Sequence, residues 1–317
     1  MTNTTINKEK NFISAVVYVH NAESHIQSCL KTLLYVLDAN FSHSEIICVN
    51  DNSSDHSMNK IKEIAETANG STISVINMSY YHGLELAMNA GSDLAIGDFV
   101  FEFDSATLDY DPSEIMNVYK KALEGYDIVS ASPNKPQKLT SKLFYKIFDK
   151  FSDGTYKMQT ERFRILSRRV LNRINNMTKT IPYRKAIYAN CGLKTTNITY
   201  DIPKNGSIAH NNHTERRYQR HLALDSLILF TDVGYRFSIT MTIAMVFMTV
   251  FMAAYSLIIY LTSAPLEGWT TTILFLSAAF FALFGILTII IKYLQIIVNL
   301  VFRRKQYSFE SIEKLTK

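Results

Sequence analysis

The chain has 317 residues, of which 47% are hydrophobic and 19% are charged, and its net charge is +5. No basic stretch is interleaved with aromatic residues, which argues against a nucleic-acid-binding protein. The cysteines are odd in number and widely spaced, so they indicate neither a disulfide framework nor a cysteine metal site. The composition is that of a soluble α/β domain before about residue 210, whereas the chain is mostly apolar after residue 236.

Strand and helix patterns alternate along the first third of the chain. Apolar runs typical of buried strands occur at Phe12 to Val19, Glu45 to Val49, Ser74 to Met78 and from Gly97 up to Asp104. Segments with the apolar spacing of amphipathic helices separate these runs. The alternation predicts a parallel sheet with right-handed crossovers. The polar turns after the first, second and fourth strands then open on the same edge of the sheet.

The fourth predicted strand ends in a carboxylate. Its residues follow the strand period as far as Phe103, and the apolar run stops at Asp104. In open α/β sheets, ligands bind outside the carboxyl ends of the strands. Asp104 is therefore a candidate ligand for a divalent metal ion that holds a nucleotide diphosphate, because hard cations take oxygen ligands. The alternative is an ordinary strand-to-loop junction with solvated acids.

Further polar side chains follow the first two predicted strands. Asn21 and Glu23 come after the first strand and Asp51 after the second, so we expect them to meet Asp104 in one cleft. We expect Asp51 to accept a hydrogen bond from the base or ribose of a nucleotide. The alternative is that the polar run from Asn50 to Asp55 only caps the next helix.

The chain then becomes rich in basic residues. After a predicted helix at Ser113 to Glu124 and a strand at Asp127 to Ala131, the segment Lys135 to Lys150 has the pattern of a basic amphipathic helix. Four arginines follow within a short distance: Arg162, Arg164, Arg168 and Arg169. The guanidinium fork matches phosphate, so this block is a candidate for diphosphate or lipid-phosphate contact. The start of a surface helix is an equal alternative.

Two long apolar stretches follow in the last third. Phe237 to Leu261 and Thr270 to Ile291 contain no charged residue. Each exceeds the roughly 20 apolar residues that span a bilayer, and the loop between them is short, so they predict a transmembrane hairpin. Basic residues flank the hairpin on both sides, whereas the loop carries only Glu267. The positive-inside rule therefore predicts a multi-pass protein of the inner (cytoplasmic) membrane, with the globular domain and both termini cytoplasmic.

The segments beside the hairpin are predicted to contact the membrane surface. Glu215 to Tyr235 mixes arginine with leucine and is suited to the headgroup plane. Lys292 to Phe302 continues the second span, and the basic end Arg303 to Lys305 is suited to anionic headgroups. The predicted organisation is a globular domain at residues 1–210, interfacial helices at 211–236, the hairpin at 237–291 and an amphipathic tail at 292–317.

Five segments, in this order, resemble those of one family: VVYVHNAESHI, EIICVNDNSSDHS, HGLELAMNAGSDLAIGDFVFEFD, FRILSRRVL and KYLQIIVNLVFRRKQYSFESIEKL. The sequence resembles the inverting, nucleotide-sugar-dependent glycosyltransferases of the GT-A fold, in the branch that acts on polyisoprenyl phosphate. Dolichol-phosphate mannose synthases and undecaprenyl-phosphate glucosyltransferases belong to that branch. The resemblance extends from about Phe12 to Leu315.

The resemblance implies a fold, a reaction and a set of site residues. The fold is α/β, a Rossmann-like GT-A (nucleotide-diphospho-sugar transferase) domain followed by interfacial helices and a two-helix transmembrane hairpin. The reaction transfers a sugar from a nucleotide-sugar to a polyisoprenyl (undecaprenyl) phosphate at the cytoplasmic face, with inversion, for cell-surface glycans. Mg²⁺ or Mn²⁺ is the implied cofactor.

The implied residues fall into three groups. The nucleotide-sugar would be bound by Tyr18, Asn21, Glu23, Asp51, Gly83 and Asp104, with Asp104 also the metal ligand. The catalytic residues would be Asp104, Glu161 and Arg164. The acceptor phosphate would be bound by Arg162, Arg164 and Arg168.

The sequence departs from the family pattern at the metal site and beside the arginine block. Ala106 occupies the position of the second Asp in the family's Asp-x-Asp motif. Glu102 would project to the same strand face as Asp104 and could supply a second carboxylate. Arg162 occupies the position before the Phe-Arg pair at which the family has an acid, and Glu161 lies one residue earlier. A catalytically degenerate membrane scaffold or partner subunit is therefore the alternative hypothesis.

A processive polysaccharide synthase of the same fold is disfavoured. Such enzymes carry a Gln-x-x-Arg-Trp block, and the one tryptophan of this chain, Trp269, lies in the predicted outer loop. The sequence leaves open whether the chain forms a homo-oligomer.

Overall fold

The computed structural model describes residues 8–68, 70–134, 160–177, 183–203, 269–302 and 307–316, with position 146 and scattered positions between 237 and 251. Two compact units divide the chain. The first comprises Met1–Asp149, Asp153–Ala223 and Arg304–Lys317, and the second comprises Lys150–Ser152 and Leu224–Arg303.

Eight strands in the described part of the chain form one sheet in the first unit. They are β1 (Ile13–Val19), β2 (Ser44–Asn50), β3 (Thr72–Met78), β4 (Phe99–Phe103), β5 (Ile128–Pro133), β6 (Phe163–Ser167), β7 (Thr195–Tyr200) and β8 (Phe309–Lys314). Their order across the sheet is β7-β5-β6-β4-β1-β2-β3-β8. Strands β1 to β4 are parallel to one another, which confirms the predicted parallel arrangement in that half.

The described helices are α1 (Glu23–Asn40), α2 (Ser57–Thr67), α3 (Leu84–Leu94), α4 (Ser113–Leu123), α5 (Arg168–Met177), α6 (Arg184–Asn190) and α7 (Trp269–Phe302). The first four follow β1 to β4 as predicted. Helix α3 packs directly against the sheet, because a Cβ atom at Gly91 would lie 2.3 Å from Cγ1 of Val16. This close packing fixes the first turn of α3 beside the carboxyl ends of β1 and β2.

The sheet is mixed rather than wholly parallel, which corrects the prediction. Strand β6 runs antiparallel between β4 and β5, and β8 runs antiparallel beside β3. The arginine block is therefore not the start of a surface helix: Phe163–Ser167 is an internal strand and α5 begins only at Arg168. The physical reason is apolar burial, since Phe163, Ile165 and Leu166 are fully buried between the two neighbouring strands.

Helix α7 is continuous over the predicted second span and the predicted interfacial segment from Lys292 to Phe302. Within the described ranges, no helix has the length and apolarity needed to cross a membrane. The basic helix at 135–150, the interfacial segment at 215–235 and most of the first span at 237–261 lie outside the described residues. The hairpin stays a prediction.

Candidate active site

The carboxyl ends of β1, β2 and β4 lie side by side. In the parallel register, Val19 is opposite Asn50, and Val17 is opposite Phe103. Asp51 follows β2 and Asp104 follows β4, the two strands that flank β1, so both lie at the carboxyl edge of the sheet, as the sequence predicts. Two groups of side chains form around them. The Asp51 cluster comprises Tyr18, Asp51, His82 and Gly83, and the Asp104 cluster comprises Glu85, Glu102, Asp104, Glu161, Arg164, Arg184 and Tyr188.

The Asp51 carboxylate is fully buried and accepts three hydrogen bonds. Its Oδ2 atom accepts from the Tyr18 hydroxyl at 3.0 Å and from the Gly83 N–H at 2.8 Å. Its Oδ1 atom accepts from the His82 N–H at 2.7 Å. Gly83 has a φ of +84°, a conformation that favours glycine. Asp51 thus joins the ends of β1 and β2 to the loop that enters α3.

Asn21 and Glu23 join two turns at the same edge. The Asn21 Oδ1 atom accepts from the Ser54 N–H at 2.9 Å, and the Glu23 Oε2 atom accepts from the His56 N–H at 3.3 Å. The turn after β1 is therefore bonded to the turn after β2. Asp55 accepts from the N–H of Ser57 at the start of α2, so local turn and helix-end bonding accounts for part of this polar run.

Asp104 is held between two arginines. Its Oδ2 atom accepts from Nη2 of Arg164 at 2.7 Å, and its Oδ1 atom accepts from Nη2 of Arg184 at 2.8 Å. The Asp104 side chain is 12% exposed, whereas both arginine side chains are fully buried. Asp104 is thus the point at which the cluster reaches solvent at the end of β4.

Glu102 binds both arginines, and Glu85 binds Arg184. The Glu102 Oε2 atom accepts from Arg184 at 2.6 Å and from Arg164 at 3.3 Å, while its Oε1 atom accepts from the Tyr188 hydroxyl at 3.0 Å. Glu85, in the first turn of α3, accepts from both the main-chain N–H and Nε of Arg184. The start of α3 therefore contacts both clusters, through its N-cap residue Gly83 and through Glu85 in its first turn.

Sequence reasoning missed Arg184 and Glu85. Arg184 is one arginine in a segment without a recognisable motif, and its partners lie far away in the chain. A sequence signal for Glu85 does exist in α3, because Glu85, Asn89 and Ser92 recur at helical spacing. In the structure all three are buried on the side of the helix that faces the sheet. A carboxylate on the buried face of a helix requires a partner, because an unpaired buried charge is costly.

The predicted acceptor residues are separated by the fold. Nε of Arg162 donates to Oδ2 of Asp109 at 2.7 Å, and its side chain is 33% exposed. Arg164 is internal, with the Glu161 carboxylate 3.2 Å from its Nε atom but outside hydrogen-bond geometry. Arg162 thus lies at the rim of the site, and Arg164 and Glu161 lie within it.

Arg168 is at the other end of the sheet. It donates to the main-chain carbonyls of Ala95 and Gly97, at the amino end of β4. Four residues of extended strand, roughly 13 Å, separate it from Arg164. The structure therefore does not bring Arg168 together with the other residues predicted to bind the acceptor phosphate.

Asp104 and Arg184 are both charged near neutral pH. Burial alone would raise the pKa of Asp104, but the positive charges of Arg164, Arg184 and Lys185 outweigh it and lower the pKa to about 2. Burial opposes the charge of Arg184, yet Glu102, Glu85 and Asp104 raise its pKa above the ordinary value. The cluster contains four carboxyl groups and two guanidinium groups, joined by ion pairs.

The donor atoms fit a metal ion that takes few protein ligands. In the part of the chain that the structure describes, no three His, Cys, Asp or Glu side chains are arranged to hold a metal by themselves. Each Asp104 oxygen accepts one arginine N–H and keeps a second lone pair, and carboxylates outnumber guanidinium groups in the cluster. Mg²⁺ is commonly bound by one or two carboxylates together with substrate phosphates and water, so Asp104 suits that role.

Comparison with solved structures identifies the fold. The crystal structure of glucosyl-3-phosphoglycerate synthase from Mycobacterium tuberculosis, in complex with Mn²⁺, UDP and phosphoglyceric acid, aligns with a TM-score of 0.53. The alignment covers 71% of this chain and 81% of that one at 16% identity. At this identity the likeness concerns the fold alone, which is the Rossmann-like GT-A fold.

Residues 14–189 match the profile of Glycosyl transferase family 2, and the chain belongs to this family. The matched range contains every residue of both clusters. It includes the Asp51 cluster at the ends of β1 to β3 and the ionic network that ends β4.

Three relatives illustrate the family relationship. An uncharacterized glycosyltransferase of Synechocystis is 31% identical over 60% of each chain. The prophage bactoprenol glucosyl transferase homolog of Escherichia coli is 28% identical over 59% of this chain and 62% of its own. The undecaprenyl-phosphate 4-deoxy-4-formamido-L-arabinose transferase of Shewanella sediminis is 32% identical over 43% and 44%. The matched part thus spans about 60% or less of these relatives.

Proposed function

We propose that the chain transfers a sugar from a nucleotide-sugar to a polyisoprenyl phosphate, with inversion. The observation that carries the proposal is the placement of two distinct clusters at one sheet edge, bridged by the first turn of α3. Membership of Glycosyl transferase family 2 supports the transferase chemistry. The lipid acceptor is supported by the Escherichia coli and Shewanella relatives, which are named after bactoprenol and undecaprenyl phosphate.

The two clusters divide donor binding between them. The Asp51 cluster and the turn that carries Asn21 and Glu23 form the nucleoside side, because they shape the edge at β1 and β2. Asp104 faces the diphosphate side, where its carboxylate is ionised and oriented. When bound there, Mg²⁺ or Mn²⁺ supplies Lewis-acid stabilisation of the negative charge that develops on the diphosphate. Arg164 and Arg184 keep Asp104 in position for that role.

The acceptor enters from the rim at Arg162. A guanidinium group binds phosphate oxygens in a bidentate manner. Arg162 is 33% exposed, and its main-chain carbonyl accepts from the Asp104 N–H at 3.4 Å. A phosphate oxygen of the lipid attacks the anomeric carbon, the bond from that carbon to the nucleotide diphosphate breaks, and the nucleotide leaves with the bonding electrons. A lipid phosphate is already ionised near neutral pH, so the reaction needs no strong general base. In this account Glu161 is not the base but forms an ion pair with Arg164.

We further propose that the reaction takes place at the cytoplasmic face of the inner membrane. The support is in the sequence, where two uncharged stretches, Phe237 to Leu261 and Thr270 to Ile291, are flanked by basic residues. The headgroup of a polyisoprenyl phosphate lies at the bilayer interface, so its transferase must work beside the bilayer. A reporter at either terminus should be cytoplasmic and a tag beside Glu267 external; an external amino terminus would overturn this topology.

The direct test incubates membranes that contain the full chain with undecaprenyl phosphate and a panel of radiolabelled nucleotide-sugars. We expect one donor to label the extracted lipid, with activity lost on chelation of divalent metal and in Asp104→Asn. Nucleotide-sugar binding without transfer to any lipid would favour the degenerate scaffold. Labelling of a water-soluble product in place of lipid would overturn the acceptor assignment.

A further inference from the structure

The described end of the chain is bonded to the strand that leads into the Asp51 cluster. Strand β8 pairs with β3 from Ser74 opposite Lys314 to Met78 opposite Phe309. Beyond this pairing, the Ser79 N–H donates to the carbonyl of Ser308 at 3.1 Å. The end of β8 near Ser308 therefore lies beside the loop between β3 and α3.

Side chains extend the connection toward Asp51. The Asn77 amide nitrogen donates to Oγ of Ser311 at 2.9 Å and to Oε1 of Glu313 at 3.0 Å. Its amide oxygen accepts at 3.0 Å from Asn50, the residue that precedes Asp51. Asn77 thus uses both ends of its amide to join the tail to the end of β2.

His82 makes the most direct link. Its Nε2 atom accepts from the main-chain N–H of Ser308 at 3.1 Å, and its Nδ1 atom contacts the carbonyl oxygen of Tyr80. A main-chain N–H only donates and a carbonyl only accepts, so these partners use Nε2 as the acceptor and Nδ1 as the donor. The ring also stacks on Tyr80, with centroids 4.0 Å apart. The same residue donates its own N–H to Asp51.

We propose that the C-terminal strand is part of the nucleotide site, with Ser308 and His82 as positioning residues. The loop that carries the His82 and Gly83 N–H groups is held by Asp51 on one side and by the tail on the other. Loss of the hydrogen bond between Ser308 and His82 would allow these two N–H groups to move away from the Asp51 carboxylate. Nucleotide affinity therefore depends on a strand that lies more than 200 residues away in the sequence. This inference rests on the proposed donor site.

The test uses the full chain in detergent, with UDP and GDP as probes in calorimetric titrations. Ser308→Pro removes the N–H that binds His82, and we expect a roughly 3- to 10-fold rise in Kd for the nucleotide that binds, as for one lost hydrogen bond. Ser308→Ala keeps the N–H and should bind as the wild type does. Equal affinity in the proline and alanine variants, with equal unfolding midpoints, would overturn the inference.

A second pair of variants applies if Ser308→Pro does not fold. His82→Gln keeps an acceptor near the position of Nε2, and we expect it to bind nucleotide within about 2-fold of the wild type, whereas His82→Leu should lose roughly 3- to 10-fold. In transfer assays the loss should appear in the KM for nucleotide-sugar and not in that for lipid. Equal affinity of His82→Leu and His82→Gln would overturn the inference. Absence of nucleotide binding by the wild type would instead overturn the proposed function.

Discussion

The Asp51 and Asp104 clusters lie at one edge of the same sheet but are built differently. Asp51 is satisfied by two main-chain N–H groups and one hydroxyl, all neutral donors. The Asp104 cluster is instead held by ion pairs between side chains on or beside β4, β6, α3 and α6. The nucleotide side is thus fixed mainly by the path of the backbone. The diphosphate side depends on individual side chains, so point substitutions should affect it far more.

The largest expected effect is at Arg184. Arg184→Met removes the partner of Glu85 and one partner each of Glu102 and Asp104, leaving buried negative charge. We expect a loss of about 3–5 kcal/mol in the free energy of unfolding, as for a broken buried ion pair. Denaturant titration measures it, with the exposed Arg169→Met as the control that should change stability by less than about 0.5 kcal/mol. A loss for Arg184→Met as small as that of the control would contradict the network.

Restoring the family's second acid should destabilise the protein. Ala106 is 3% exposed and belongs to the hydrophobic core, so the carboxylate in Ala106→Asp would be buried without a built partner. We expect a loss of about 2–4 kcal/mol. The neighbouring Ser105→Asp, at a partly exposed turn position, is the control and should be nearly neutral. A stable Ala106→Asp variant with tighter metal binding would show that this position faces the site.

The pH dependence of stability tests the charge state of Asp104. Its pKa is lowered from 3.8 to about 2, so ionised Asp104 stabilises the folded state fully above about pH 4, and this stabilisation is lost as the pH falls through about 2. It amounts to on the order of 2 kcal/mol. The difference in unfolding free energy between the wild type and Asp104→Asn should be constant from pH 7 to pH 5. A difference that changes across this range would contradict the assigned ionisation.

The smallest effect is expected on the nucleotide side. Tyr18→Phe removes one of three donors to Asp51 and leaves the two main-chain N–H groups in place. We expect the binding free energy of the nucleotide to weaken by about 1 kcal/mol or less, which is at most roughly a 5-fold rise in Kd. Calorimetry measures this change. A loss as large as 100-fold would show that side chains, and not the backbone, determine this cluster.

The sequence predicts the first half of the fold best, because each of its strands and helices has its own apolar pattern. Strands β1 to β4 and helices α1 to α4 each carry a clear apolar period, and the order of strand and helix predicted which turns share an edge. The sequence alone therefore predicts that Asp51 and Asp104 share one edge of the sheet. The residues bonded to their carboxylates were not predicted, because those contacts depend on the tertiary arrangement.

The features that the sequence does not predict share one physical cause, which is pairing between residues far apart in the chain. Strand β6 is five residues long, and its position is set by β4 and β5 on either side. The sequence predicts a phosphate-binding block at Arg162 to Arg169, whereas Arg164, the arginine within β6, is fully buried among carboxylates. Strand β8 pairs with β3 from the far end of the chain, and nothing local in its sequence indicates that partner. The burial of Ala106 likewise depends on how the turn after β4 packs.

The central claim is that turnover depends on the ionised carboxylate of Asp104. The most direct measurement is the rate of sugar transfer to undecaprenyl phosphate at saturating nucleotide-sugar, for the wild type and Asp104→Asn, with Tyr18→Phe as a control from the other cluster. Electrostatic stabilisation of the leaving diphosphate is typically a large part of such a barrier, so we expect Asp104→Asn to be at least about 100-fold slower. Tyr18→Phe should remain within about 3-fold of the wild type at saturation. Full turnover by Asp104→Asn would contradict the account.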